Sequence, residues 1–256
     1  KKIRNDGDRA KLISSNDDKG FTFRGRFNDD SGIQACTVGF EITQKAHNAL
    51  SWLIRRQGYQ RNDQVFVAWA ISGEEIPDPM SDTFTLVGID ELPDDIPSNV
   101  YTAQDYGIKL KNKISGYNQK LKNSKGIVVM GLDSATPGRL AITFYREISG
   151  SDFLNRIENW HTTCAWFHYY RLIEVRDEKS IKKKNVRVRF EGAPSPDDIA
   201  LVTHGHYENE IYKVDEKIRK SVVERLLPCI IDGQKIPRDL VISSVRKACN
   251  RIGFKR

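Results

Sequence analysis

Polar and apolar positions alternate along this chain with two periods, and each period predicts a different element. In "FTFRGRF", Phe21, Phe23, Gly25 and Phe27 share one parity, while Thr22, Arg24 and Arg26 share the other. Period two predicts an extended strand with one face to pack and two guanidiniums on the reverse. "TQKAHNALSWLIRRQG" changes to helical spacing, with Ala46, Ala49, Leu50, Leu53 and Ile54 in one stripe and Gly58 placed to end it. Arg55 and Arg56 fall in the last turn, where cations suit the helix dipole. The apolar, β-rich "DQVFVAWAIS" then predicts a buried strand.

Pro77, Pro79, Pro93 and Pro97 break regular structure between residues 73 and 99. Helical spacing returns over residues 102–122. Two β-rich runs flank "SATPG" and predict a hairpin. Ser151 is a candidate N-cap for a helix continuing into "WHTTCAWFHYYR" at 160–171. "NVRVRFEG" alternates as a strand, with Arg187 and Arg189 on one side and Val186, Val188 and Phe190 on the other. Ser195 and Pro196 open a short helix with Asp197 and Asp198 in its first turn. Two further helices are predicted at 213–227 and 238–251, split by "PCIIDGQKIP". The fold class is α+β: a mixed sheet-and-helix region over 1–147, then a mainly helical region over 148–256 that carries one basic strand.

Composition sharpens this picture. Of 256 residues, 39% are hydrophobic and 29% charged, which are globular values that can fill a core. Cys36, Cys164, Cys229 and Cys249 form no CxxC pair and read as reduced thiols of a cytoplasmic protein. No run is long and apolar enough to span a membrane, so no membrane partner is expected. The chain starts at Lys1 rather than Met, as a portion of a longer protein would. The net charge of +7 points to a polyanion, and its distribution supports that reading. Lys1, Lys2, Arg4, Arg9 and Lys11 crowd the start, and Lys179, Lys182, Lys183, Lys184, Arg187 and Arg189 form a second cluster. Arg24, Arg26, Arg55, Arg56, Lys182, Lys183, Lys184, Arg187 and Arg189 are the candidate nucleic-acid contacts: Arg24, Arg26, Arg187 and Arg189 are held in position on strands backed by apolar residues, Arg55 and Arg56 close a helix, and the lysine run adds flexible charge. No RNP, zinc-finger or helix-turn-helix signature accompanies them.

"WHTTCAWFHYYR" raises the competing question of a metal. On a helix, His161, Cys164 and His168 would point within roughly 60° of one another. A closed zinc site needs a fourth ligand, from His204, His206 or Cys229. Trp160, Trp166, Phe167, Tyr169 and Tyr170 meanwhile make every face of such a helix apolar, which favours a packed core and no metal or cofactor. There is no G-x-S-x-G, H-E-x-x-H, Walker loop or G-x-G-x-x-G. A metal-dependent nuclease would need clustered carboxylates, and Asp94 with Asp95 or "RDEK" at 176–179 are the nearest. A scaffold that touches only protein is the third reading, and it predicts no salt-sensitive DNA binding.

The order of motifs carries a resemblance. "KIRNDGDRAKLISSNDDKGFTFRGRF", "ACTVGFEITQKAHNALSWLIRRQG", "VFVAWAISGEEIPDP", "ITFYREISGSDFLNRIENWHTTCAW", "GAPSPDDIA" and "LLPCIIDGQKIPRDLV" together resemble the middle and later part of the large subunit of subtype I-C (Dvulg) CRISPR surveillance complexes (Cascade). The resemblance implies a protein with no catalytic activity of its own. It helps recognise the protospacer-adjacent motif, assists in opening double-stranded target DNA, contacts the displaced strand and helps recruit the helicase-nuclease. The implied partners are a guide RNA-containing complex with backbone, guide-end-capping and small subunits. A metal-dependent CRISPR-associated nuclease is the alternative.

Overall fold

The computed structural model describes residues 11–12, 38–88, 103–121, 126–136, 139–176, 183–209 and 211–250, with backbone alone at 135–136, 139, 169–176 and 183–189. The chain is α+β, as its patterning predicts. Two compact units divide it: Lys1–Ala68 with Val129–Arg146, and Trp69–Val128 with Glu147–Arg256.

The first unit holds most of a four-stranded sheet of order β1-β2-β3-β4, formed by Tyr59–Arg61, Gln64–Ala70, Ile127–Thr136 and Arg139–Ile148, with residues 69–70, 127–128 and 147–148 assigned to the second. β1 and β2 make a tight hairpin in which Arg61 pairs with Gln64, and Asn62 takes a left-handed φ of 47°. Asparagine tolerates that conformation, so "RNDQ" is a turn signal. Residues 137–138 separate β3 from β4 at the predicted "SATPG" hairpin. Helix α1 (Phe40–Gln57) lies on this unit, and Ile54 forms a buried cluster with Val65 and Leu132, joined by Leu12, Leu50, Met130 and Leu140. The inward line of the helix is Thr43, His47, Leu50 and Ile54, at steps of four, three and four; Ala46 and Ala49 of the predicted stripe face solvent. Gly58 ends the helix, but with an extended φ of −76°. Its glycine is required by space, since a Cβ there would meet the Ile54 carbonyl oxygen at 2.6 Å. Elsewhere in the sheet, Gly131 leaves room for Phe66 and Phe144.

Helices dominate the second unit. α2 (Thr83–Val87) starts where Asp82 accepts a hydrogen bond from Thr85 N at 2.7 Å, and ends at Gly88, left-handed at φ 73°. α3 (Ala103–Leu121) buries Tyr106, Leu110, Ile114 and Leu121 at helical spacing. α4 (Gly150–Thr163) is capped by Ser149 rather than Ser151, through a bond from Asp152 N at 3.1 Å. The strands β5 (Trp166–Arg176) and β6 (Lys183–Gly192) then form an antiparallel ribbon, irregular between His168 and Arg171. α5 (Pro196–His204) has a full capping box, in which Ser195 and Asp198 satisfy each other's backbone N–H. A small hairpin, β7 (His206–Glu208) with β8 (Ile211–Lys213), leads to α6 (Glu216–Ile231) and α7 (Arg238–Cys249).

Two further expectations need correction. The helix predicted to end near residue 227 runs through Pro228 to Ile231. Proline in a helix interior costs about 3 kcal/mol. Here the following turn buries Cys229, Ile230 and Ile231, and that burial offsets the cost. More consequentially, "WHTTCAWFHYYR" is not one helix. α4 stops at Thr163 with Cys164 as its C-cap, and a strand begins at Trp166. Thr162 and Thr163 turn their hydroxyls back on the Glu158 and Asn159 carbonyls in the last turn, and the aromatic and β-branched run beyond them suits a pleated strand.

Candidate nucleic-acid interface

Among the predicted contacts, Arg55 and Arg56 are placed in most detail. They occupy the exposed last turn of α1, where the helix dipole favours positive charge. Arg56 lays its guanidinium over the ring of Trp52, 4.9 Å from the centroid, and Trp52 is 51% exposed. Arg55 donates from Nε to the Ser51 carbonyl at 3.2 Å. Neither guanidinium pairs with a carboxylate among the described residues. Immediately along the chain, Arg61 lies over Tyr59 at 5.3 Å and donates to its hydroxyl at 3.2 Å. Residues 52–61 therefore bring three arginines and two aromatic rings into one short stretch. Held in this way, guanidiniums can donate forked hydrogen bonds to phosphate, and the half-exposed ring offers a face for stacking.

The other predicted contacts are less fully placed. Arg24, Arg26 and Lys182 lie outside the described residues. Arg187 and Arg189 are in β6, as the alternation predicts, and the strand starts two residues earlier, taking in Lys183 and Lys184; Lys183 pairs in register with Arg176, Lys184 with Val175 and Arg187 with Leu172. Arg187 and Arg189 are thus on a ribbon of the second unit, whereas Arg55 and Arg56 belong to the first. The predicted contacts do not include the lysines of α3, which carries Lys109, Lys111, Lys113 and Lys120 against one acid, Asp105. The signal was available in "YGIKLKNKISGYNQKL", where lysines recur near helical spacing. Lys120 is held by Glu75 at 2.9 Å, and that hydrogen bond raises its pKa.

His161, His168 and Cys164 go to separate tasks. His161 is 1% exposed, and its Nδ1 lies 2.8 Å from Thr83 Oγ1. The same oxygen accepts from Ala193 N at 2.7 Å, while Thr83 N donates to the Ala193 carbonyl at 3.1 Å. If the threonine hydroxyl donates a hydrogen bond to Nδ1, one buried donor, His161 Nε2–H, is left without a partner. The opposite tautomer would strand both the hydroxyl proton and the Nε2 lone pair, so the first arrangement is preferred. Burial pushes the imidazole pKa down to about 4, which keeps it neutral. His168, on β5, lies 2.9 Å from the Gly192 carbonyl through Nε2 and stacks on Phe190 with centroids 4.6 Å apart. Phe190 in turn meets Phe84 and Tyr106 edge-on at 5.6 and 5.8 Å. Cys164 caps α4, and burial raises its thiol pKa. Among the described residues no three His, Cys, Asp or Glu side chains converge as metal ligands would. The aromatic stretch is thus divided: Trp160 and His161 pack the core, whereas Trp166 and Phe167 are 72% and 65% exposed.

No helix among the described residues is long and apolar enough to cross a membrane. No curated protein matches the chain. A family model described as CRISPR-associated protein (Cas_Csd1) matches residues 1–255. With the match running across nearly every residue, the chain belongs to the Cas_Csd1 family of CRISPR-associated proteins.

Proposed function

We propose that this chain is the non-catalytic large subunit of a cytoplasmic subtype I-C surveillance complex, working on DNA through its cationic surfaces. Family membership supports a role in CRISPR defence. The observation that carries the DNA-contacting part is the α1 terminus, where Arg55 and Arg56 stand beside half-exposed Trp52 without a carboxylate partner among the described residues. In an RNA-guided complex, guide pairing reads the sequence while protein reads a short motif and holds backbone. Arginines stacked on rings suit the second task, since they bind phosphate and tolerate any base. In this reading the chain sits among the backbone, guide-end-capping and small subunits around a guide RNA. It helps recognise the protospacer-adjacent motif, open the duplex, hold the displaced strand and recruit the helicase-nuclease.

The test is reconstitution of the complex with guide RNA, comparing wild type with Arg55→Ala and Arg56→Ala combined. Both side chains are exposed, so assembly and thermal stability should be retained while target-DNA affinity falls. Unchanged affinity in an intact complex would refute the role given to this turn. Cleavage of DNA by the chain with Mg²⁺ or Mn²⁺ would refute the non-catalytic assignment.

A further inference from the structure

α3 contains a glycine that its fold does not require. Gly116 lies in the helix interior, is exposed, and would meet nothing within 4 Å if it carried a Cβ. A glycine there weakens the helix relative to alanine, and no turn, positive φ or close neighbour compensates. What surrounds it is cationic. At 100° per residue, Lys109, Lys113 and Lys120 fall within about 40° of one another, and Gly116 adjoins the same stripe. Along the axis Lys113 is about 4.5 Å below Gly116 and Lys120 about 6 Å above it. Tyr117 forms the neighbouring edge, with the Lys113 and Lys120 ammoniums 5.7 and 5.9 Å from its ring centre. Burial and the nearby Glu75 carboxylate raise the Tyr117 pKa, so its hydroxyl stays protonated as a donor.

We infer that this shoulder of α3 is a docking track for a nucleic-acid backbone, with a phosphate seated against the bare helix at Gly116 between Lys113 and Lys120. A missing side chain lets a ligand approach the backbone closely, and lysines as flexible point charges suit phosphates rather than base edges. From Lys109 to Lys120 the stripe rises about 16 Å, or about five nucleotide steps of one strand. Its anion partner is a polyphosphate rather than a single phosphate for that reason. The track uses none of the α1 arginines and rests on the proposed function only in taking nucleic acid as the polyanion. Glu75, holding Lys120 at 2.9 Å, fixes one end of the track and competes with phosphate for it.

The experiment uses the full chain and the assembled complex, with a random-sequence DNA duplex and its single strand as probes. Gly116→Ala should raise Tm by about 2 to 4 °C while weakening both probes several-fold. Gly107→Ala is the control: Gly107 is also an open glycine of α3 but lies more than about 100° from the stripe, so it should raise Tm and leave affinity unchanged. Lys113→Ala with Lys120→Ala should lower the duplex salt slope by about 1.8, whatever the sequence. Glu75→Gln should tighten binding. A Gly116→Ala protein with higher Tm and unchanged affinity for both probes would overturn the track. So would a lysine double variant that loses complex assembly while its salt slope stays intact, which would make this face a contact for an acidic protein surface. Because the α1 variant is measured separately, failure of the arginine turn and failure of the α3 track give different results.

Discussion

Acidification should loosen the second unit through one residue, His161. Its ring is 1% exposed and its pKa falls from 6.5 to about 4 on folding, with burial as the cause. The folded state therefore holds fewer protons than the unfolded state between these values, so stability rises with pH across that window and is lost as pH falls through it. The full effect is roughly 3 kcal/mol at 1.36 kcal/mol per pH unit, and about 2 kcal/mol of it is gone by pH 5. Asp78 acts in the opposite direction, because burial raises its pKa and its ionisation opposes folding as pH rises. A raw pH profile mixes the two contributions, whereas a difference against His161→Gln isolates the imidazole. Amide exchange in peptides covering Gly150–Thr163 at pH 7.5 and pH 5, corrected for intrinsic rates, gives the opening free energy of α4 locally. Wild type should lose about 2 kcal/mol more than the variant over that interval. Equal losses, or an imidazole that titrates near 6.5 by NMR, would refute the reasoning.

Three other substitutions test the packing of the second unit. Gly192→Ala would place a Cβ 2.4 Å from Thr83 Cβ and 2.7 Å from Phe190 Cε2. Overpacking of this kind should cost about 1 to 3 kcal/mol, read from urea or thermal unfolding followed by near-UV signal. Trp166→Ala should change stability by less than about 0.5 kcal/mol because that ring is exposed, whereas Ile157→Ala should cost about 2 to 5 kcal/mol; comparable losses from the two would contradict the helix-to-strand break.

How far the chain could be read in advance depended on whether an element's signal was local. α5 was legible because Ser195, Pro196 and Asp198 complete a cap within four positions. α3 was legible because its buried residues recur at one period, and β6 because apolar and basic residues alternate along its sequence. β5 was not, since a run of consecutive aromatics fits either period, and the break rests on the local bonds of Thr162 and Thr163. The role of His161 was illegible for a different reason. Its partner Thr83 is 78 positions away, and that threonine's other partner, Ala193, is 110 positions further on from it. Only folding brings these three together. At the candidate interface, the helix-terminus rule points to Arg55 and Arg56, whereas the α3 lysines carry no local cue, since helical lysines usually mark a solvated face. What separates this stripe is Gly116, whose meaning depends on knowing that nothing in the fold asks for it.

The contact between Lys11 and β4 bears on solubility. Among the described residues β4 is the last strand of its sheet, and an edge with apolar residues such as Ile142 and Tyr145 near the surface invites pairing with other chains. The Lys11 carbonyl accepts a bond from Leu140 N at 3.0 Å, Leu12 N donates to His47 Nε2 at 3.0 Å, and the Leu12 side chain packs on the Ile54 cluster. Two residues thus act as a guard at one end of the edge, anchored from outside the sheet, and a lysine is the residue type that natural edges use to discourage sticky growth. Loss of that guard would first show as self-association into β-rich aggregates, before any loss of fold.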